Sequence, residues 1–330
     1  MEAMTEDAMN PRKAVAFVFP GQGSQTVGML RALADAHPIV TETFAEASAV
    51  LGYDLWALAQ QGPEQALNRT AVTQPALLAA DVACYRAFRA HGALAPAVMA
   101  GHSLGEYAAL VCAGALDYTD AVRLVAYRGE LMQAAVPEGE GAMAAILGLA
   151  DEAVEAVCRE SAAGDTLAAA NYNAPGQVVI AGSRAAVERA ALRARAAGAK
   201  RAIVLPVSVP SHCGLMEGAA EAFAERLAPV MVREPAVPVI HNYNVQYAST
   251  GTEIREALIK QLFSPVRWTE TIRKVVGLGV CAIVECGPGK VLTGLNKRIA
   301  DCPCVAIGEP ADWAAALSLG DVPCASEGRE

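Results

Sequence analysis

The chain has 330 residues, 54% of them hydrophobic and 18% charged, enough apolar material for one large domain or two modest ones; this excludes an intrinsically disordered protein. A formal net charge of −9 argues against nucleic acid as the main partner, because phosphate binding needs basic surface. No apolar run is long enough to cross a bilayer, and nine cysteines without a C-x-x-C pair read as reduced cytoplasmic thiols, not as a zinc site.

Residues 1–11 are polar and acidic, and read as a disordered tail with no secretory signal. Lys13–Phe19 reads as a buried strand ended by Pro20. The loop Pro20-Gly21-Gln22-Gly23-Ser24-Gln25 follows, but Gly28 falls two positions late for a dinucleotide fingerprint. A Gln beside flexible backbone can instead donate to an oxyanion. Ala97–Ala100 reads as a second strand, running through a Gly-rich turn into a helix over Leu104–Cys112, and Asp117–Ala134 as a further helix.

The middle of the chain has its own rhythm. Ala142–Leu149 reads as a strand, Asp151–Glu160 as a helix, and Leu167–Tyr172 and Gln177–Ala181 as strands around an Asn-Ala-Pro-Gly turn. Ser183 is placed to cap a helix through Ala197, stopped by Gly198, and Ala202–Val209 closes the unit. The order β-α-β-β-α-β is that of a ferredoxin-like fold. Beyond it come a helix from about Gly214, strands at Val237–His241 and Val280–Glu285, and a helix from Lys290 to about Ile299. The chain therefore reads as α/β: a large domain from 12–137 and 209–312, a ferredoxin-like α+β subdomain at 138–208 inserted in it, and a C-terminal tail at 313–330.

Gly101-His102-Ser103-Leu104-Gly105 fits G-x-S-x-G between a predicted strand and a predicted helix. Small residues on both sides allow a tight turn that lifts the Ser103 hydroxyl above the sheet edge, and the helix N-terminus offers N–H groups to an oxyanion. A serine nucleophile needs a base. His102 is adjacent and its side chain should diverge; His37 and His91 read as surface residues; His212 and His241 each follow a predicted strand, with His212 at the domain junction where a cleft would form. Arg128 falls on the apolar stripe of its helix with Ala121, Leu124, Val125, Leu131 and Met132. It either pairs with an internal carboxylate such as Glu106 or presents a guanidinium fork to a substrate carboxylate.

Together these stretches resemble the malonyl-CoA:acyl-carrier-protein transacylase family of dissociated (type II) bacterial fatty acid synthesis. The matching segments are Phe19–Gln25, Gly101–Glu106, Arg128-Gly129 with Met132, Asn171–Gln177, Val207–Met216, Gln261–Trp268 and Gly287–Lys290, in the family's order. The resemblance implies a hydrolase-like parallel-sheet core with the inserted ferredoxin-like subdomain. It implies Ser103 as acyl-carrying nucleophile, His212 as its base, Arg128 as the grip on the malonyl carboxylate, and the Leu104 N–H with Gln22 as oxyanion hole. Gln261, through its main-chain carbonyl, and Asn171 would support and orient the site. Malonyl-CoA and holo acyl carrier protein are the implied partners, with no metal, no cofactor of the enzyme's own, and a cytoplasmic monomer. A serine thioesterase, a carrier-binding subunit without catalysis, and a polyketide-type acyltransferase are the competing readings.

Overall fold

The computed structural model describes residues 14–91, 94–207 and 209–321. Strand β1 (Val15–Phe19) leads into five helices, α1 (Arg31–Ala36), α2 (Ile39–Leu51), α3 (Leu55–Gln61), α4 (Glu64–Leu67) and α5 (Thr70–Ala90). Then come β2 (Pro96–Gly101), α6 (Gly105–Cys112) and α7 (Tyr118–Ala134). The small unit follows as β3 (Gly141–Leu147), α8 (Asp151–Ala162), β4 (Leu167–Ala174), β5 (Gln177–Ser183), α9 (Arg184–Ala196) and β6 (Arg201–Val204). The chain returns through α10 (Glu217–Leu227), β7 (Val239–Ile240), α11 (Gly251–Phe263), α12 (Trp268–Gly277), β8 (Ala282–Glu285), α13 (Val291–Asn296), β9 (Cys304–Ala306) and α14 (Trp313–Leu317).

The large sheet has the order β7-β2-β1-β8-β9 and is parallel throughout. Its middle strand, Val-Ala-Phe-Val-Phe, is apolar at every position because both faces are covered. Val15, Phe17 and Phe19 point into the larger core with Phe44, Leu77 and Phe88, while Ala16 and Val18 meet Trp268, Ile272 and Ile283 on the other face. Each such fully buried Phe stabilises the fold by about 1.5–3 kcal/mol. The second sheet is antiparallel, in the order β4-β5-β3-β6. Its helix-covered face packs Ile146, Val178 and Ile180 against Val154 and Val187. Met143, Val179 and Ala181 on the opposite face pack with Cys213, which anchors the sheet beside the loop that carries His212. The α/β class and the ferredoxin-like strand order are those read from the sequence.

Several elements end earlier than their apolar runs suggest. The strand expected over 237–241 shrinks to β7, since Pro238 has no N–H to give a ladder and the His241 N–H bonds the Gln246 oxygen instead. The strand expected over 202–209 stops at Val204, just short of Pro206. Ser183 precedes α9 but its side chain makes no capping bond. The segment from 313, read as a tail, starts with a packed helix: Trp313 is buried, stacks on His37 at 4.5 Å and donates to the Ile307 oxygen at 2.9 Å. Among the described residues Cys84, Cys112, Cys158, Cys213, Cys286, Cys302 and Cys304 are free thiols. The expected tail at 1–11 and the start of the first strand, Lys13, lie outside the described residues.

Candidate active site

Strand β2 delivers Ser103 just beyond the carboxyl edge of the parallel sheet, where crevices form in open α/β folds. Ser103 has φ +52°, a left-handed conformation that disfavours a side chain by roughly 1–2 kcal/mol. The surroundings impose it. A Cβ on Gly101 would overlap the backbone of Gly105, and one on Gly105 would overlap the Phe19 carbonyl at the end of β1. Asn242 ties the turn down: its Oδ1 accepts from the Ser103 N–H at 2.7 Å and its Nδ2 donates to the Gly101 oxygen at 2.6 Å. The turn is over-determined.

His212 stands 2.7 Å from the Ser103 hydroxyl through Nε2. Its Nδ1 is 2.8 Å from the main-chain oxygen of Gln261, and since a carbonyl can only accept, Nδ1 carries the proton and Nε2 faces serine as the acceptor. Burial, then the nearby Arg128 charge, push His212 down to about 3, against the Gln261 bond that raises it. The ring is neutral at rest. The rival His241 lies elsewhere: its Nδ1 pairs with Glu106 at 2.7 Å. His102 turns away as expected, bonding Asn173 at 2.8 Å, and burial lowers its pKa.

Arg128 is fully buried and comes from α7, whose Asp117 cap accepts from the Thr119 and Asp120 N–H groups. Its Nη1 donates to Gln74 Oε1 at 2.8 Å, and its Nη2 to Gln261 Oε1 at 3.0 Å and Ser103 Oγ at 3.3 Å. Every acceptor is neutral. Glu106 is not its partner, because that carboxylate accepts from His241, from the Asn242 N–H at 2.9 Å and from Gln261 Nε2 at 2.8 Å. Among the described residues no carboxylate forms an ion pair with Arg128, and its Nε has no partner. Burial lowers the Arg128 pKa, while Tyr107 and Glu106 oppose the shift.

The structure therefore brings Ser103, His212, Arg128 and Gln261 into one hydrogen-bonded cluster, with Leu104 opening α6 beside them. Gln22 lies on the loop after β1, where Gly21 packs against the His102 carbonyl, and its exposed side chain reaches Thr70 at 3.5 Å. Asn171 stays apart from the cluster. It is buried in β4 at the junction with Val266, and the neighbouring Asn173 is the residue that contacts the elbow. Asn242, Gln74 and the Gln261 side chain were not anticipated; an Asn in Ile-His-Asn-Tyr carries no signal until the fold sets it beside Gly101. No grouping of three or more His, Cys, Asp or Glu suited to a metal occurs among the described residues.

A family model described as acyl transferase domain matches residues 16–302. The malonyl CoA-acyl carrier protein transacylase of Escherichia coli strain K12 is 59% identical over 305 residues, covering 92% of this chain and 99% of the relative. The chain belongs to the malonyl CoA-acyl carrier protein transacylase family. The solved transacylase of Coxiella burnetii superposes with a TM-score of 0.93 at 50% identity, covering 94% of this chain and 98% of that one. A malonyl-transacylase in complex with a type II PKS acyl-carrier protein gives a TM-score of 0.91 at 54% identity, covering 93% and 99%. In this transacylase, as in those relatives, the chain is an acyltransferase over nearly its whole length.

Proposed function

We propose that the protein moves a malonyl group from malonyl-CoA to the phosphopantetheine thiol of holo acyl carrier protein, through a malonyl ester on Ser103, to supply fatty acid elongation in the cytoplasm. As Ser103 Oγ attacks the thioester, His212 Nε2 takes its proton, and the Gln261 carbonyl keeps the ring in the tautomer that can do so. The Leu104 N–H at the start of α6, with Gln22, stabilises the oxyanion. The imidazolium returns the proton to the CoA sulfur as it leaves. In the second half-reaction His212 deprotonates the carrier thiol, which attacks the ester, and the imidazolium returns that proton to the Ser103 oxygen as it leaves. The chemistry calls for no metal and no cofactor held by the enzyme, since the phosphopantetheine arrives on the partner. No helix among the described residues is long and apolar enough to cross a membrane.

The observation that carries the malonyl reading is the Arg128 guanidinium, fully buried with only neutral oxygens as partners among the described residues. Leaving a buried cation unpaired is unfavourable by several kcal/mol, and a substrate carboxylate beside Ser103 relieves it. An acetyl group cannot. Steady-state transfer from malonyl-CoA to holo carrier protein should give parallel double-reciprocal lines, and Arg128→Ala should lose malonyl transfer while relatively favouring acetyl. Intersecting lines, or an unchanged malonyl-over-acetyl preference in that variant, would overturn the assignment. Rapid hydrolysis without an acceptor would point to a thioesterase.

A further inference from the structure

Gln261 serves two masters with its two ends. The main-chain oxygen holds His212, and the side-chain oxygen faces Arg128 at 3.0 Å. An amide side chain has two orientations, and only one of them sets an oxygen against a guanidinium; the other would press an NH2 group on the cation. What fixes the orientation is on the opposite side. Gln261 Nε2 donates to the Ser103 carbonyl at 2.9 Å and to Glu106 Oε2 at 2.8 Å. The Ser103 carbonyl is one acceptor in a strained turn, whereas Glu106 is a fully buried carboxylate held by two further donors, the Asn242 N–H and His241 Nδ1.

We propose that Glu106 is the positioning residue for substrate selection: acting through the Gln261 amide, it aims Arg128 at the acyl carboxylate. The proposal rests on the malonyl reading above. Glu106 never touches substrate. It lies in the first turn of α6, three positions after Ser103, so the helix that presents the nucleophile also presents the acceptor that orders the clamp. Asn242 joins the two ends, with its N–H on Glu106 and its side chain on the Ser103 turn. Gln261 and Glu106 thus act in series on Arg128, while the base is reached by a separate route, the Gln261 main chain, that a change at Glu106 leaves in place.

The test is a double-mutant cycle between Glu106→Met and Gln261→Met, read as the malonyl-to-acetyl ratio of kcat/KM, with Glu106→Gln as the conservative control. Glu106→Met keeps the length of the side chain but removes the acceptor, and near-ultraviolet circular dichroism checks that it folds; Glu106→Gln, giving its amide N–H to His241 by a change of tautomer, still sets an oxygen on Gln261 Nε2 and should keep the ratio. The expected result is a loss of about tenfold or more in the ratio for Glu106→Met, carried by KM for malonyl-CoA, with acetyl loading and its pH profile close to wild type. Gln261→Met should show a similar loss, and the double variant should be no worse than Gln261→Met alone. Losses that multiply in the double variant, a Glu106→Met enzyme whose malonyl and acetyl activities fall together, or a Glu106→Gln enzyme that loses the ratio, overturn the proposal. Wild-type enzyme in the same assay reports the underlying reading separately: wild type that shows no preference for malonyl over acetyl overturns both.

Discussion

His212 donates its Nδ1 hydrogen to the main-chain oxygen of Gln261, 2.8 Å away, where a hydrolase triad would set a carboxylate. A neutral acceptor fixes the tautomer but adds no negative charge to hold an imidazolium. With the Arg128 guanidinium 3.3 Å from the same Ser103 hydroxyl, the histidine sits in a net positive surrounding. The base is reluctant to keep a proton, which suits a site that must return it at once to a departing thiol.

That surrounding predicts the pH behaviour. His212 is pushed from 6.5 to about 3, first by burial and next by Arg128. The ring stays neutral in mild acid, so kcat/KM should not fall as the pH passes down through 6.5. Arg128→Leu removes a charge that lowers the pKa, so the pKa rises and the acid limb moves to higher pH, measured with acetyl-CoA as donor. An unmoved limb contradicts the coupling. The unfolded histidine protonates near 6.5 and the folded one only near 3, so its share of stability is present above pH 6.5 and is lost as the pH falls toward 3.

The elbow predicts a sharp contrast among glycines. Gly101→Ala and Gly105→Ala force a methyl into backbone atoms of Gly105 and Phe19, and each should destabilise by about 3 kcal/mol or more, or prevent folding. Gly294 is exposed within α13, with open space where a methyl would go, and should gain about 0.5–1 kcal/mol as Ala. Denaturant unfolding of the three variants checks both signs.

Asn242 holds the Ser103 N–H and the Gly101 oxygen at once. Asn242→Leu leaves both buried groups unpaired, which costs about 1–3 kcal/mol for each. The Ser103 turn should relax, lowering kcat by roughly tenfold or more, the factor that about 1.4 kcal/mol of barrier produces. A variant that unfolds at lower denaturant with unchanged kcat would show that the turn keeps its shape without this bond.

Asp81 predicts a stability effect far from the chemistry. It is fully buried in α5, both its oxygens lack partners among the described residues, and burial, then Glu285, raise its pKa well above the usual 3.8. The folded state therefore keeps a proton that the unfolded state loses above 3.8, and stability falls as the pH rises beyond that value. Asp81→Asn cannot ionise, so the decline of Tm with rising pH should flatten. An identical slope in the variant would contradict the assignment.

The parts of the fold legible in the sequence were those with local signatures. The all-apolar β1 run, the Gly-flanked Ser103 turn and the Asn-Ala-Pro-Gly hairpin each announce their geometry through nearest neighbours. Strand ends were less legible because Pro206 and Pro238 act on ladder bonds whose partners lie far along the chain. Arg128 was visible as a cation on an apolar stripe, but that Glu106 is not its partner shows only in the fold, where three other donors engage that carboxylate. Gln74 and Asn242 were invisible for the same reason. Their partners are 54 and 139 residues away, and no local pattern encodes such a pairing.

The central claim, that Ser103 carries a malonyl group, is tested most directly by intact-protein mass spectrometry after brief exposure to malonyl-CoA or acetyl-CoA, with Ser103→Ala as control. The account predicts a malonyl-sized gain in mass, absent from the control and discharged by holo acyl carrier protein. An adduct that persists in Ser103→Ala, or no adduct from either donor, would contradict it.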